Sequence, residues 1–199
     1  MQPDHYKDLM REKLDHELFE HSLGVAEAAA DLAARYGADK NKAYLSGIVH
    51  DYGKQFSGRE LVEIAGKLGI PLDRISRRES RLLHATVGAA LLEKDLQLTD
   101  PDIIRAVANH TTGRRGMDRL EKVVYLADYI EKGRDFPAAD KIRQAALEDL
   151  DLALLEAVEF AIRSVLERGL MLHPRSVAFR NELVEAQRNR AGKGPGDLK

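Results

Sequence analysis

The stretch "FEHSLGVAEAAADLAARYG", residues 19–37, decides the fold class. Its apolar residues recur with a helical period and share one face: Leu23, Val25, Ala26, Ala29, Ala30 and Ala33. This spacing, stopped by Gly37, predicts an amphipathic helix with a glycine terminator. A helical period recurs nearly everywhere along the chain, and no convincing alternating strand segment is found. We therefore predict an all-α protein, a bundle of about eight to ten helices.

Boundary signals support this division into helices. They are two capping boxes, Ser57 with Glu60 and Asp118 with Glu121, and the N-cap Asp100 followed by Pro101. Each supplies a side chain for orphan N–H groups, or a proline where no N–H is needed. We expect one domain over residues 1–190. The tail "AGKGPGDLK", residues 191–199, is Gly-rich and polar, and we expect it to be frayed.

The composition is that of an ordinary globular protein. The chain has 199 residues, of which 44% are hydrophobic and 32% are charged. No apolar run approaches the roughly 20 residues that cross a bilayer, and the N-terminus lacks the plan of a secretory signal. We therefore expect a cytoplasmic protein without a membrane partner.

Cysteine is absent, which excludes disulfides, thiol catalysis and thiolate metal sites. Any metal must therefore bind nitrogen and oxygen. The formal net charge of -2 provides no global basic field, so we expect no nucleic-acid polymer as a partner. A small anionic ligand held by local Arg and Lys is compatible with this composition.

Polar side chains interrupt the apolar faces at several places, most visibly in "GIVHDYGKQF", residues 47–56. Helical spacing directs six ionisable side chains at the core: His21, His50, Asp51, His84, His110 and Asp128. A lone inward histidine is usually a hydrogen-bonded core residue, and a lone aspartate is usually an ion pair or a cap. Six together would each need a partner in an apolar interior, whereas a shared cation satisfies them collectively.

Four imidazoles and two carboxylates suit iron, manganese, zinc, nickel or cobalt. Six protein ligands are too many for one open catalytic ion but natural for two, if one carboxylate bridges them. Asp51, adjacent to His50, is the plausible bridge. Two ions roughly 3.5 to 4 Å apart generate a hydroxide at neutral pH and clamp the oxygens of an in-line phosphoryl displacement.

Five segments carry a family resemblance: "HSLGVAEAA", "VHDYGK", "LLHATVGA", "NHTTGRRGM" and "LEKVVYLADYIEKGRDF". In this order, from about His21 to Phe136, they resemble the YqeK family of HD-domain bacterial symmetrical diadenosine tetraphosphate hydrolases. Two positions depart from the family pattern. Leu18 stands where an arginine is expected, and Lys132 replaces a usual proline.

The resemblance implies a di-iron centre. One ion would be held by His21, His50, Asp51 and Asp128, and the other by His84, His110 and the bridging Asp51. Asp51, Lys54 and Arg134 would be catalytic, and the residues facing the polyphosphate would be Lys54, Thr112, Arg114 and Arg134. The implied substrate is a small dinucleoside polyphosphate, which water cleaves into two molecules of ADP.

Simpler interpretations exist for the cationic residues. Lys54 is also a solvated lysine favourable at a helix C-terminus, and Arg134 is also a surface partner of Asp135 or Glu131. One arginine of the pair Arg114 and Arg115 is expected to be only solvated.

Several other polar residues are expected to lie outside the site. "SRRESR", residues 76–81, reads as a charged surface face, although its proximity to His84 keeps a role at the site entrance open. His5, His16 and His173 carry no helical-face argument, and we interpret them as surface or capping residues.

Two alternative functions stay open at this point. The same ligand series serves hydrolases of nucleoside triphosphates, cyclic dinucleotides or guanosine alarmones, so ligands alone do not choose the substrate. A non-catalytic helical regulator with a structural metal is a further alternative, although every expected ligand is present. The sequence also leaves open whether two copies form a homodimer.

Overall fold

The computed structural model describes residues 3–192. Over this range the chain forms eleven α-helices and two short 3₁₀ turns, Tyr52–Gln55 and Ser80–Leu82, without a β-strand. The helices are α1 Pro3–Lys13, α2 His16–Tyr36, α3 Lys40–Val49, α4 Gly58–Lys67, α5 Arg74–Arg78, α6 Leu83–Leu96, α7 Pro101–Asn109, α8 Arg119–Ile130, α9 Ala139–Glu148, α10 Leu150–Glu167 and α11 Pro174–Arg190. The predicted all-α class is confirmed. Most of the predicted frayed tail, 193–199, lies outside the described residues, and the single domain over 1–190 stays a prediction.

The predicted boundary signals are present in the structure. Gly37 ends α2 in the left-handed conformation, with φ of 70°. Both capping boxes form, at the starts of α4 and α8. Asp100 caps α7 and Pro101 occupies its first turn. Local side-chain chemistry therefore sets these helix ends.

Two helices were not predicted from the sequence. In α1 only Met10 is buried, so the segment lacks a broad apolar face. The five-residue α5 is too short to display a period, although its N-cap Asp73 accepts hydrogen bonds from two backbone N–H groups. Neither helix carries a predicted site residue.

The core consists of two hydrophobic clusters. One joins α8, α9, α10 and α11, and the other joins α1, α3, α4, α6 and α7. Helix α2 contributes to both, with Val25 and Ala29 in the first and Phe19 and Ala26 in the second. The helices that carry the predicted site residues are thus drawn from both clusters.

A close backbone contact brings two parts of the predicted site together. A Cβ atom on Gly53 would lie 2.2 Å from the carbonyl oxygen of His84. Only glycine permits this approach. It allows the turn after Asp51 to pack against the start of α6.

Within residues 3–192 none of the helices combines the length and apolar character needed to cross a membrane. The cytoplasmic location inferred from the sequence stays a prediction.

Candidate metal centre

The six predicted ligand residues come from five helices and converge. His21 lies in the second turn of α2, His84 at the start of α6 and Asp128 in the last turn of α8. His50 is the C-cap of α3 and is followed by Asp51, and His110 is the C-cap of α7. His50 and Asp51 are completely buried.

The Asp51 carboxylate lies between two groups of imidazoles. Its Oδ2 is 3.1 Å from Nε2 of His50 and 3.6 Å from Nε2 of His21. Its Oδ1 is 3.5 Å from Nε2 of His84 and 3.5 Å from Nε2 of His110. One carboxylate therefore reaches both groups with different oxygens, as a bridging ligand would.

Asp128 joins the first of these groups. Its Oδ1 lies 3.1 Å from Nε2 of His21. Burial opposes ionisation of Asp128, but the hydrogen bond with His21 and the charge of His50 hold its pKa below the ordinary value. The residue is therefore an anionic oxygen donor at neutral pH.

Several polar atoms at the centre are buried without a hydrogen-bond partner. They are Nε2 of His50 and both carboxylate oxygens of Asp51. Unpaired buried polar groups are costly in a protein interior, and a carboxylate costs the most. Cations between the two groups would satisfy these atoms, and the nitrogen and oxygen donors are ones that iron, zinc and manganese accept. The residues present fit a pair of metal ions.

Three of the imidazoles are oriented by backbone carbonyls. Nδ1 of His50 donates to the carbonyl of Gly47. In the same way, Nδ1 of His84 donates to the carbonyl of Arg81, and Nδ1 of His110 donates to that of Val107. A carbonyl oxygen only accepts, so Nδ1 carries the proton and Nε2 presents its lone pair to the centre. This is the usual second-shell arrangement of metal-binding histidines.

His21 is oriented by a carboxylate instead. Its Nδ1 lies 3.2 Å from Oε1 of Glu131, which is buried. The N–H of Gly133 donates to Oε2 of the same carboxylate, and a Cβ on Gly24 would lie 2.7 Å from that oxygen. From the sequence, Glu131 was interpreted only as a surface partner of Arg134. Its contact with His21, 110 residues away, has no local signal.

The protonation states favour ligation. Burial, followed by the charge of His110, lowers the pKa of His84 to about 4, so its imidazole is neutral at pH 7. Burial raises the pKa of Asp51, but the charge of His50 and the neighbouring imidazole of His110 outweigh it and hold that pKa well below the ordinary range. The centre thus offers the neutral imidazole of His84 beside the ionised carboxylate of Asp51.

Two cationic residues predicted at the site lie there. Nζ of Lys54 is 2.6 Å from Oδ2 of Asp51, an ion-pair contact without hydrogen-bond geometry. Arg134 donates from Nη2 to Oδ1 of Asp128 and from Nε to the Asp128 carbonyl at 2.7 Å. Its Nε is also 3.9 Å from Oε1 of Glu131, so the alternative pairing exists inside the site.

The loop after α7 is arranged differently from the prediction. Thr112 lines a cavity beside His84, but its hydroxyl donates to the carbonyl of Gly113. Thr111, which is not among the predicted site residues, places Oγ1 3.1 Å from Nε2 of His84 and 3.2 Å from Nε2 of His110. Its position directly after a predicted ligand was the available signal.

Arg114 is not brought to the centre. Its Nε donates to Oε1 of Glu121 at 2.7 Å, and its Nη2 donates to Oε2 of the same buried carboxylate. Arg115 is exposed and lies 3.4 Å from Glu185. In the structure both arginines therefore have protein partners away from the six ligand residues.

The residues expected outside the centre have surface or capping positions. His5 and His16 are exposed, and His173 caps α11 by accepting from the N–H of Arg175. Within residues 76–81 all three arginines are exposed. Of these, Arg81 borders the cavity beside His84.

Two cavities border the centre, one at His84 and the other at His21. The first, about 510 Å³, includes His84, and we call it the His84 cavity. The second, about 950 Å³, includes His21, and we call it the His21 cavity. Lys54 lines both. Leu18 and Lys132, the two departures from the family pattern, both line the His21 cavity.

The chain is similar to several known proteins. Residues 18–133 match the HD domain family. A protein of Halalkalibacterium halodurans named as a symmetrical bis(5'-nucleosyl)-tetraphosphatase is 35% identical over 185 residues, covering 90% of this chain and 96% of the relative. A protein of Bacillus subtilis with the same name is 35% identical over 175 residues, covering 88% and 94%.

A solved structure shares the fold. It is a crystal structure from Clostridium acetobutylicum of a protein described as a predicted HD superfamily hydrolase involved in NAD metabolism. The two chains are 39% identical and superpose with a TM-score of 0.89, over 94% of this chain and 98% of the other.

Proposed function

The chain belongs to the HD-domain family, in the group that contains the symmetrical bis(5'-nucleosyl)-tetraphosphatases, and we propose that it is a metal-dependent hydrolase of diadenosine tetraphosphate. The products are two molecules of ADP. The observation that carries the proposal is the buried Asp51 carboxylate, whose two oxygens face separate groups of imidazoles.

The proposed ligand sets follow the distances. His21, His50, Asp51 and Asp128 would hold one ion, and His84, His110 and Asp51 would hold the other. We propose iron, which accepts imidazole and carboxylate ligands together. When bound, such a pair supplies Lewis acidity, which makes water a better nucleophile and binds phosphoryl oxygens.

Lys54 and Arg134 supply positive charge beside the ligands. Lys54 lines both cavities, so its ammonium group would lie beside the middle of a substrate that spans them. Arg134 is anchored by its Nε and neighbours His21. Fixed cations stabilise the negative charge that develops on phosphate oxygens during transfer. We therefore propose both as catalytic residues, with Thr112 as a residue near the substrate.

The reaction adds one water molecule across the central P–O–P linkage of the substrate. A water oxygen forms a bond to one of the two central phosphorus atoms. The bond from that phosphorus to the central bridging oxygen breaks, and the bridging oxygen leaves as the terminal phosphate oxygen of the second ADP. Of the two water protons, one stays on the new phosphate oxygen or passes to solvent, and the other goes to the leaving oxygen or to solvent. Lys54 and Arg134 would compensate the charge of both products.

The other functions considered from the sequence receive less support. The ligand arrangement is common to hydrolases of several nucleotides, whereas the relatives that cover most of this chain are named for symmetrical cleavage. A purely structural metal would not call for two cavities beside the ligands. The small dinucleoside polyphosphate is therefore the proposed partner, and the homodimer stays a prediction.

Product identification tests the proposal. The iron-loaded full chain is incubated with diadenosine tetraphosphate, and the nucleotides are separated by chromatography. ADP alone is the expected product. Equal amounts of ATP and AMP would contradict symmetrical cleavage. A panel containing nucleoside triphosphates, cyclic dinucleotides and guanosine tetraphosphate, under the same metal conditions, should show slower turnover of every other compound.

A further inference from the structure

We propose that the two chemically identical halves of the substrate bind in unlike cavities, and that the His84 cavity is the subsite that recognises a nucleoside. This proposal rests on the proposed function. The two cavities open on different ligands of one centre and share Lys54. A polyphosphate cleaved at its middle must extend in both directions from the centre, so each nucleoside reaches a different cavity.

The walls of the His84 cavity are suited to a purine. Aromatic and aliphatic side chains dominate its lining, among them Phe56, Tyr129, Phe160 and Leu172. Phe160 is only partly buried, although its other face stacks on Phe136 with ring centroids 4.5 Å apart. Aromatic rings bind nucleobases by stacking. The volume of the His84 cavity, about 510 Å³, also lies in the usual range of small-molecule sites.

The His21 cavity offers different chemistry. Its aromatic lining consists of the imidazoles of His16 and His21, without Phe, Tyr or Trp, and its apolar side chains are Leu18 and Leu23. Carboxylates of Asp15, Glu17 and Glu20 lie along the same wall. Such a wall can accept hydrogen bonds from ribose hydroxyls, but for stacking on a base it offers only imidazole and guanidinium planes, which are smaller than the Phe and Tyr rings of the His84 cavity. A nucleotide with a single nucleoside should therefore place it in the His84 cavity.

ADP, which carries one nucleoside, should bind with that nucleoside in the His84 cavity. Ser164 lines the His84 cavity and is partly exposed, so Ser164→Phe fills the cavity without removing core packing. Leu18→Phe is the matched control that fills the His21 cavity. Binding of ADP and of inorganic pyrophosphate to the iron-loaded full chain is measured by isothermal titration calorimetry. Pyrophosphate reports contacts with the centre alone.

Ser164→Phe should weaken ADP binding at least tenfold and leave pyrophosphate binding within twofold. Leu18→Phe should leave both within twofold, yet raise the KM for diadenosine tetraphosphate, which needs both cavities. The proposal is overturned if ADP binding survives Ser164→Phe, if Leu18→Phe weakens it equally, or if Leu18→Phe leaves that KM unchanged.

A second variant tests the same cavity in case Ser164→Phe does not fold. Phe160→Leu keeps an apolar side chain at this position and removes the aromatic plane, and it should weaken ADP binding at least threefold while the helical content measured by circular dichroism stays that of wild type. Unchanged ADP binding in this variant would contradict the stacking role. The calorimetry needs no turnover, so it stands apart from the product test. ATP and AMP as wild-type products would refute the proposed function, whereas these binding results judge the subsite.

Discussion

Nδ1 of His21 lies 3.2 Å from Oε1 of Glu131, so a buried carboxylate stands behind one imidazole of the centre. The other three imidazoles have backbone carbonyls in this place. A carboxylate behind a metal-binding histidine fixes the ring and increases its basicity. Gly24 and Gly133 leave the space that this carboxylate occupies. The arrangement makes Glu131 a positioning residue for His21.

The variant Glu131→Gln tests this role. The amide is a weaker acceptor than the carboxylate, so metal affinity should fall by about 10- to 100-fold. Competition with a chelator, followed by iron analysis, measures the affinity without reference to turnover. Glu27→Gln, an exposed residue of the His21 cavity, is the matched control and should bind iron like wild type. Equal affinity in Glu131→Gln and wild type would show that the contact does not orient His21.

Asp51→Asn should remove the bridge while preserving its shape. The amide provides one oxygen and no negative charge, so it cannot serve both groups of imidazoles. We expect less than one iron per chain and a fall in kcat of at least about 100-fold. Iron analysis and steady-state kinetics measure the two effects. The exposed Asp31→Asn, on α2, serves as the control. Full metal content with normal turnover in Asp51→Asn would refute the bridging assignment.

Arg114 was predicted to face the polyphosphate, but in the structure it pairs with the buried Glu121. Arg114→Ala should therefore lower the free energy of unfolding by about 2 kcal/mol, because a buried carboxylate loses a charged partner. The KM of the folded variant should change less than twofold. Urea unfolding and kinetics separate these effects. A large rise in KM with unchanged stability would show that Arg114 contacts the substrate, as the sequence predicted.

The sequence predicted the centre better than its surroundings, and the reason is geometric. Helical periodicity fixes which face a residue occupies, so the inward direction of His21, His110 and Asp128 follows from their spacing. Contacts such as those of Glu131 and Thr111 depend on how loops cross between helices. Periodicity carries no information on these paths.

The short elements show the same limit. The capping boxes were predictable because their donors and acceptors lie three residues apart. The five-residue α5 has too few positions to show a period, and the partner of Arg114 lies seven residues away, across a turn. A list of the charged residues in that loop could not separate the structural arginine from one that faces a ligand.

The stability of the metal-free protein should fall as the solution is acidified, because of His84. Its ordinary pKa is 6.5, and burial followed by the charge of His110 lowers it to about 4 in the folded chain. Between these values the unfolded chain binds the proton and the folded chain does not. The free energy of unfolding therefore decreases as the pH falls from 6.5 towards 4, by about 3 kcal/mol in all. Above pH 6.5 this contribution is constant.

Urea unfolding in the presence of a chelator, at several values between pH 7.5 and pH 4.5, measures this loss. In His84→Gln the residue no longer titrates, so its stability should depend less on pH over the same window. The carboxylate of Asp51 does not interfere, because its pKa is lowered from an ordinary value of 3.8 and it titrates below the window. Parallel curves for wild type and His84→Gln would mean that the folded chain accepts a proton on His84 as readily as the unfolded chain does.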